Sequence, residues 1–396
     1  MSARTYPFVV GQRRNSTDPT LEDVARTAGV SVSTASRVLG KYGIVSAPTR
    51  ARVLGAAATL GYRPNSIARS MISGSTQTFG LVVADVENPF FARVSRGVAD
   101  TARKAGFEVI LANSDEDVEK ERTAVRLLVS KRVDGIIVAP ASQTKGRVDH
   151  LAEAAARVPV VFLDRRAAGI DADAVVIDNR GAARAAVAYL TGLDHQRIAV
   201  VNEWDELTRA CQWRTPGELV KCLEDAGEFL PTSASRLLGY MDAIVQAGLT
   251  IDLDLIFLSS YSRQSAAQST IRALTLAAPA TAVFATDNLM TLGAFGAIGQ
   301  MGLACPRDAS LVGFDDLEWT EITTPPLTVI RQPVYEMGAK AAELLVDRVA
   351  GTDVAPRTLS LDTSLVVRAS ATRSVGGGQR DEGRRSNWPS TTAPRS

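Results

Sequence analysis

The residue types that most often carry catalysis or bind metal ions are scarce in this chain. Its 396 residues include two histidines, His150 and His195, and three cysteines, none of which stands in a CxxC pair. Two histidines exclude a His-rich metal site and argue against a Ser-His-Asp triad, since both need imidazole groups. The sequence has no GxxxxGK(S/T) loop, and no GxGxxG follows the apolar run Phe79–Ala84. We therefore predict no catalytic residue, no metal and no cofactor.

Basic residues concentrate near the N-terminus. The first 75 positions contain ten Lys and Arg residues against three Asp and Glu residues, although the formal net charge of the whole chain is +1. A basic head on a mildly acidic body is typical of a part that contacts phosphate groups. A basic terminus is more often a solvated tail, so this interpretation needs a fold to support it.

Residues 20–61 have the pattern of three short helices. Thr20 begins the first as a capping-box residue, Gly29 ends it, and Ser31 and Ser46 cap the second and third. In the second helix, the residues predicted to face outward are Val32, Ser33, Ser36 and Arg37. Two helices joined at a glycine, with a polar outer face on the second, are typical of a helix-turn-helix.

From Thr78 onward, short apolar strands alternate with amphipathic helices. The predicted strands are Phe79–Ala84, Val109–Ala112, Gly135–Val138, Val158–Leu163, Ala174–Ile177, Ile198–Val201, Leu255–Leu258, Ala282–Ala285 and Leu311–Phe314. The predicted helices include Phe91–Ala105, Glu119–Ser130, Arg180–Leu190, Ser265–Leu276 and Leu289–Gln300. Apolar strands separated by helices indicate parallel sheets covered on both faces. Since this region exceeds one compact sheet, we predict two doubly wound lobes whose strand ends face a ligand cleft.

Length and composition favour a cytoplasmic protein of two to three domains. Hydrophobic residues make up 45% of the chain and charged residues 22%, which is enough apolar material for large cores. No apolar run approaches the roughly 18 residues of a membrane helix, and the N-terminus lacks the apolar segment of a signal peptide. The three cysteines Cys211, Cys222 and Cys305 cannot make a disulfide framework.

Several motifs stand in a fixed order over roughly residues 20–370. They are Thr20–Ala25, Gly29–Leu39, Val45–Arg50, Gly61–Asn65, Gly80–Phe91, Lys131–Gly135, Val176–Asn179 and Gly313–Asp316. In residue types and order, this set resembles the LacI/GalR family of transcriptional regulators. The resemblance implies a small all-α helix-turn-helix head and an α/β two-lobed, periplasmic-binding-protein-like core with two doubly wound parallel sheets. It also implies a dimeric repressor that binds palindromic double-stranded operator DNA and whose affinity is set by a small-molecule effector, a sugar or related polyol.

Composition and the resemblance together divide the chain into segments. They are a disordered leader (1–19), the helix-turn-helix domain (20–63), a hinge helix with its linker (64–76), the core (77–372) and a disordered tail (373–396). Within the core, the first lobe is expected to comprise residues 77–179 and 333–359, and the second lobe residues 180–332 and 360–372.

The family places its base contacts at the positions of Val32, Ser33 and Arg37. Arg37 can donate two hydrogen bonds to guanine, Ser33 can bond either type of base, and Val32 can touch a thymine methyl group. The expected phosphate contacts are Thr20, Ser31, Thr34 and Ser36. The residues that resemble the minor-groove hinge helix are Asn65, Ala68, Arg69 and Met71, with Met71 as the apolar wedge. Gly40 departs from the family, which frequently has Asn there, so one polar contact is expected to be missing.

The resemblance also assigns a set of effector-binding residues. They are Phe90, Phe91, Asp164, Arg165, Asp178, Arg236, Tyr261, Asp287, Asn288 and Asp315. Carboxylates, arginines, an amide and flat aromatic rings suit a polyhydroxylated ring, whose hydroxyls both donate and accept hydrogen bonds.

Residues 202–231 do not fit the family pattern. The strand ending at Val201 and the motif beginning at Thr232 are separated by 30 residues, whereas such connections usually have about 2–6. The segment contains Trp204, Cys211, Trp213 and Cys222. It is either a lid at the mouth of the cleft or a surface excursion.

Two other functions remain open from the sequence. A Rossmann-type enzyme acting on a sugar, with an appended DNA-binding head, would need a base or a carboxylate pair such as Asp164 and Asp315. A secreted sugar-binding receptor would share the two lobes but would carry a signal peptide and no helix-turn-helix. A sugar turnover assay separates the regulator from the enzyme.

Overall fold

The computed structural model describes residues 19–40, 42–62, 75–144 and 146–374. The chain divides into two compact units, a head unit of Met1–Thr78 with Arg132–Asp134 and a core unit of Phe79–Lys131 with Gly135–Ser396. The predicted leader up to residue 18, the hinge helix at 65–72 and the tail from residue 375 lie outside the described residues. The roles expected for Asn65, Ala68, Arg69 and Met71 therefore stay predictions.

The head contains the three predicted helices, α1 (Leu21–Ala28), α2 (Val32–Leu39) and α3 (Ala47–Leu60). Thr20 and Asp23 form the predicted capping box, and Gly29 ends α1 in the left-handed conformation with φ of 64°. The Ser31 hydroxyl caps α2, whereas Ser46 precedes α3 without a side-chain cap bond. The buried apolar residues of the three helices are Val24, Ala25, Ala28, Ala35, Val38, Val53, Ala56 and Ala57.

The core contains two six-stranded sheets, with strand orders β11-β5-β4-β3-β1-β2 in the first lobe and β12-β10-β9-β8-β6-β7 in the second. The strands are β1 (Thr78–Val83), β2 (Glu108–Asn113), β3 (Gly135–Val138), β4 (Val160–Leu163), β5 (Asp173–Ile177), β6 (Ile198–Glu203), β7 (Ile256–Ser259), β8 (Ala282–Ala285), β9 (Ser310–Phe314), β10 (Thr328–Arg331), β11 (Thr358–Leu361) and β12 (Ser364–Val366). The nine predicted strands form with ends shifted by at most two residues. Strands β10, β11 and β12 were not predicted.

Helices cover both sheets, as parallel strands require. They are α4 (Pro89–Lys104), α5 (Val118–Ser130), α6 (Asp149–Ala155), α7 (Asn179–Gly192), α8 (Glu206–Ala210), α9 (Pro216–Glu224), α10 (Thr232–Gln246), α11 (Arg263–Leu274), α12 (Asn288–Gln300), α13 (Glu318–Ile322) and α14 (Val334–Val349). In the first lobe α4 packs on α14, and in the second α7 packs on α10 and α11 on α12. None of the helices in the described ranges is long and apolar enough to cross a membrane.

The chain passes between the lobes three times. The first passage follows β5, the second follows β10, and the third follows β11, which pairs in parallel with β5 from Thr358 opposite Ala174 to Leu361 opposite Ile177. The third boundary expected after residue 359 is therefore wrong, because Ser360 and Leu361 still belong to the sheet of the first lobe. The following strand, β12, pairs antiparallel with β10 in the second lobe.

Residues 202–231 form a helical insertion on the second lobe. It contains α8, α9 and a 3-10 turn at Gly227–Phe229, and the buried side chains of Leu219 and Leu223 join the hydrophobic core. Cys211 and Cys222 form a disulfide bond in this insertion. The number of cysteines excludes a disulfide framework but gives no indication of this single bridge, because the two cysteines come together only through the turn between α8 and α9.

Close helix packing in the first lobe predicts a sensitive glycine. A Cβ atom at Gly97 of α4 would clash with the Tyr335 carbonyl oxygen of α14. We expect Gly97→Ala to lower the free energy of unfolding by about 1–3 kcal/mol, as overpacking does. The matched control is Gly296→Ala in α12, where an added Cβ meets no atom within 4 Å; it should stabilise the chain by about 0.5–1 kcal/mol. Denaturant titration measures both, and equal effects would contradict the packing argument.

Candidate functional site

The exposed face of α2 contains the three residues predicted to contact bases. Val32 is 44% exposed, and Ser33 and Arg37 lie on the same accessible side, whereas Ala35 and Val38 are buried in the head. The Ser31 hydroxyl accepts a hydrogen bond from the Thr34 backbone amide at 3.2 Å, so it caps the helix. An apolar group, a hydroxyl and a guanidinium on one accessible face can contact base edges in a major groove.

A tyrosine that the sequence reasoning missed lies against this helix. The hydroxyls of Tyr42 and Ser36 are 2.7 Å apart. A Cβ atom at Gly40 would lie 2.6 Å from the Tyr42 ring. The departure from the family pattern at Gly40 therefore makes room for the ring of Tyr42. Because the Ser36 hydroxyl is engaged by Tyr42, its phosphate contact would have to share that hydroxyl.

In the core, two aspartates occupy matching positions at the ends of strands. Asp164 follows β4 and Asp315 follows β9, each with positive φ (65° and 72°), and both are buried at 7% exposure. Each backbone amide donates to the neighbouring strand, Asp164 to the Val175 carbonyl and Asp315 to the Ile330 carbonyl, both at 2.9 Å. Asp tolerates the left-handed conformation better than most residues, so the turn fixes both side chains without glycine.

Arg236, from α10, is the buried cation of this region. Its guanidinium donates to Asn179 Oδ1 at 2.8 Å and to the Thr286 carbonyl oxygen at 2.7 Å. Its Cζ atom also lies 3.8 Å from the centre of the Phe314 ring. The charge of Arg236 favours ionisation of three carboxyls, those of Asp164, Asp287 and Asp315. Asp164 of the first lobe and Asp287 and Asp315 of the second thus all lie under the electrostatic influence of one guanidinium.

Burial opposes the ionisation of these carboxyls. It raises the pKa of Asp164 and of Asp315, and it raises the pKa of Asp287 to about 6. At the end of β6, burial and the nearby Asp287 raise the pKa of Glu203 to about 8. Glu203 was not predicted as a site residue, since one Glu after a strand carries no sequence signal.

Several buried polar atoms of this region have no partner. Asp287 Oδ1 accepts from the backbone amides of Leu289 and Met290, which leaves Oδ2 unpaired. Gln332 donates to Asp315 Oδ1 at 2.6 Å, and its own Oε1 is unpaired. Arg165 donates to both carboxylate oxygens of Glu116 at 2.6 and 2.8 Å, and its Nε is paired with Asp164 Oδ2 at 3.4 Å. Buried unpaired polar atoms are costly, so they favour a polar ligand at this place.

Hydrogen bonds cross from one lobe to the other here. Asn88, at the start of α4, donates to the Tyr261 hydroxyl at 2.9 Å and accepts from Asn288 Nδ2 at 2.9 Å. Gln143 donates to the Leu230 carbonyl oxygen at 3.3 Å. Asn88 belongs to the motif Gly80–Phe91 but was not predicted as a site residue, because its reach across the cleft depends on the second lobe.

The contacts of three predicted effector residues lie outside the group around Arg236, and their role stays a prediction. Asp178 is exposed and caps α7 by accepting from the Gly181 amide at 2.8 Å; the next residue, Asn179, contacts Arg236 instead. Phe90 and Phe91 are buried in the hydrophobic core, edge to face with ring centres 4.9 Å apart. A side chain that ends a strand and one that begins the next helix look alike in sequence, and only the backbone decides between them.

The remaining predicted residues gather between the lobes. They are Asp164, Arg165, Arg236, Tyr261, Asp287, Asn288 and Asp315, and the structure adds Asn88 and Glu203. We call this set the cleft. Within the described residues, no group of three or more His, Cys, Asp or Glu side chains is arranged to hold a metal ion. Carboxylates, amides and a phenol around one guanidinium can bind a polar ligand through many hydrogen bonds.

Comparisons with known proteins identify the family. Residues 20–65 match "Bacterial regulatory proteins, lacI family", and residues 76–367 match "Periplasmic binding proteins and sugar binding domain of LacI family". The "HTH-type transcriptional repressor PurR" of Pasteurella multocida (strain Pm70) is 31% identical, over 89% of this chain and 98% of its own.

Two solved structures are similar in fold over most of the chain. The "transcriptional regulator CelR-cellobiose complex" has a TM-score of 0.63 and 32% identity, with 89% of this chain and 100% of that chain covered. The lac repressor dimer bound to operator and the anti-inducer ONPF has a TM-score of 0.75 and 27% identity, with 89% and 99% covered.

The raised pKa of Glu203 predicts a pH-dependent stability. The ordinary pKa of the side chain is 4.5 and the folded value is about 8, so the folded chain binds the extra proton and loses stability as pH rises through this window. Glu203→Gln should unfold at a higher temperature than the wild type at about pH 9, and at nearly the same temperature at about pH 4.5.

Thermal unfolding followed by circular dichroism at both pH values measures this difference. Glu153→Gln, which changes an exposed carboxyl of α6, is the control and should show no gap that grows with pH. If the gap for Glu203→Gln is the same at both pH values, Glu203 is not held in its protonated form.

Proposed function

The chain belongs to the LacI family of bacterial regulatory proteins, and we propose that it is a repressor controlled by a small molecule bound in the cleft. The observation that carries this proposal is the convergence on Arg236 of residues from both lobes, in a chain that also presents the exposed face of α2. Relatives that match nearly their whole length are transcriptional repressors, which argues against the sugar-acting enzyme.

The effector we propose is a sugar or a related polyol. Each sugar hydroxyl both donates and accepts, so it can pair with the unpaired Asp287 Oδ2 and Gln332 Oε1 while also donating to Asp164. Tyr261, whose hydroxyl accepts from Asn88, offers an aromatic ring in the same cleft. The regulator CelR, whose fold is similar, has been solved with cellobiose.

The proposed partner of the head is a palindromic operator, bound by a homodimer. Val32, Ser33 and Arg37 would contact bases, and Thr20, Ser31, Thr34 and Ser36 would contact phosphates. One small head covers too little DNA for strong specificity, and two heads on a two-fold axis would double the site. The lac repressor, similar in fold, has been solved as a dimer on its operator. Such a protein acts in the cytoplasm, where the DNA is.

Control of DNA binding would work through closure of the cleft. A ligand that touches Asp164 of the first lobe and Arg236 of the second binds only when the lobes have one relative orientation. Residues 63–74 lead from the head into β1 of the first lobe, so in a dimer the orientation of the lobes sets how the two heads are presented. By linkage, effector and operator must then change each other's affinity by the same factor, typically about 5–150-fold.

The role of Arg37 can be tested on DNA. We expect Arg37→Ala to weaken operator binding by about 1–3 kcal/mol and to relax the preference at one base pair, because a bidentate contact to guanine is lost. Arg26→Ala is the matched control, since Arg26 is an exposed arginine of α1 that is paired with Asp23. Fluorescence anisotropy on the selected operator and on random DNA at one salt concentration measures both. Equal losses on the two DNAs for Arg37→Ala would contradict direct readout.

The role of Asp315 can be tested on the effector response. Asp315→Asn keeps a residue that tolerates positive φ and still accepts from Gln332, but it removes the charge that faces Arg236. We expect unliganded operator binding within about twofold of wild type and loss of the effector response, which in the wild type is about 5–150-fold. Anisotropy with and without the sugar identified by a thermal-shift screen gives both values. Weak operator binding without ligand would instead mean that Asp315 maintains the fold.

A further inference from the structure

A cavity lies in the helical insertion of the second lobe. It has a volume of about 550 Å³, within the range of about 300–1,000 Å³ of small-molecule sites. The side chains that line it and could contact a ligand are Trp204, Arg209, Gln212, Trp213, Arg214 and Glu218. None of these residues was assigned to the cleft.

One wall residue of this cavity, Trp204, is the chain neighbour of a cleft residue. Trp204 directly follows Glu203, and the Glu203 carboxyl interacts with Asp287 and Arg165 of the cleft. The Trp204 backbone amide donates to the Ser259 carbonyl oxygen at 2.8 Å, two residues before Tyr261. A ligand that fills the cleft and extends past Glu203 would therefore reach Trp204.

The walls of the cavity are held in place by capping bonds at two helices. Asp205 caps α8 and accepts from the Ser233 hydroxyl of α10 at 2.6 Å. Glu218 of α9 accepts from the backbone amides of Arg214 and Thr215 at 2.7 and 3.1 Å. These bonds hold the loop that precedes α9 against the helix. The Cys211–Cys222 disulfide ties the two helices together. A cavity fixed before binding costs a ligand little ordering of the protein.

The insertion also contacts the first lobe. Besides the bond from Gln143 to the Leu230 carbonyl oxygen, the guanidinium of Arg166 lies 5.2 Å from the centre of the Phe229 ring. The insertion thus contacts both lobes, the first through Leu230 and Phe229 and the second through Asp205.

The chemistry of the lining favours a sugar ring. Trp204 is 36% exposed and offers an indole face, on which the C–H face of a pyranose can pack. Arg209, Gln212 and Arg214 are exposed and present N–H donors to ring hydroxyls. Glu218 Oε2 accepts both backbone amides, and aromatic faces and N–H donors predominate in the rest of the lining.

We propose that this cavity is a second sugar subsite, and that the effector is a saccharide of at least two rings. The first ring binds in the cleft, and the next packs against Trp204 and Trp213. This inference rests on the proposed function, since it assumes that the cleft takes a sugar. The subsite also gives the insertion a role in effector binding, because a second ring would contact side chains of the insertion that the two lobes alone do not supply.

Calorimetric titration of the full chain tests the subsite. The probes are glucose, galactose and ribose, and the disaccharides cellobiose, maltose and lactose, in buffer without reductant so that the disulfide stays closed. We expect at least one disaccharide to bind tenfold or more tightly than either of its component monosaccharides. Trp204→Ala should reduce that ratio to about threefold or less and leave monosaccharide affinity unchanged.

Two further variants separate the subsite from a folding defect. Gln212→Ala, at an exposed position, should also lower only the disaccharide affinity, and Trp319→Phe, in α13 outside the cavity, should change neither affinity. If a monosaccharide binds and no disaccharide that contains it binds more tightly, or if Trp204→Ala leaves the ratio unchanged, the subsite is wrong and the proposed function stands. If no sugar of the panel binds, the subsite and the sugar effector are both wrong.

Discussion

The arrangement of the core depends on one buried guanidinium. Arg236 is 7% exposed, and a charge at that depth persists only when it is paired and hydrogen-bonded. Its partners are an amide, a backbone carbonyl, an aromatic face and the surrounding carboxylates, and they come from the ends of different strands. The fold must therefore bring the ends of several strands close together around Arg236. The two doubly wound sheets do this, because the carboxyl ends of their parallel strands lie at one edge of each sheet.

The carboxylates around Arg236 outnumber the cations. Asp164, Asp287 and Asp315 are buried near it, and burial raises their pKa values more than the charge of Arg236 lowers them. The cross-lobe bonds of Asn88 hold the lobes together without satisfying Asp287 Oδ2. The proposed ligand, with its many hydroxyls, would supply hydrogen-bond partners to side chains of both lobes. Binding and lobe orientation are for this reason one equilibrium.

The head is built on a different physical principle. Its core consists mainly of alanines and valines from three short helices, which bury little apolar surface. Capping bonds at Thr20 and Ser31 and the left-handed Gly29 set where the helices begin and end. The Tyr42 ring, which packs where a side chain at residue 40 would stand, completes the region after α2. The small core leaves the face of α2 that contains Val32, Ser33 and Arg37 accessible for contact with DNA.

The sequence by itself determined the local structure. The helices of the head and nine strands of the core follow from periodicity, caps and turns that lie within a few residues of each other. The order of the motifs was enough to identify the family. The residues assigned from the family resemblance include Arg236 and the three aspartates that lie near it in the structure. Local signals and motif order are properties of short stretches, and a single sequence contains them in full.

Only the tertiary structure decided what depends on long-range pairing. Strands β10 to β12 are short, and they form because they pair with strands that are distant in the sequence. The pairing of β11 with β5 also places Leu361 in the first lobe. Asn179 rather than Asp178 reaches Arg236, because the backbone turns at the start of α7 and uses Asp178 as its cap. The reach of Asn88 across the cleft and the burial of Glu203 likewise require the other lobe or the insertion to be in place. Burial and pairing are relations between residues far apart in the chain, and no pattern of neighbouring residue types encodes them.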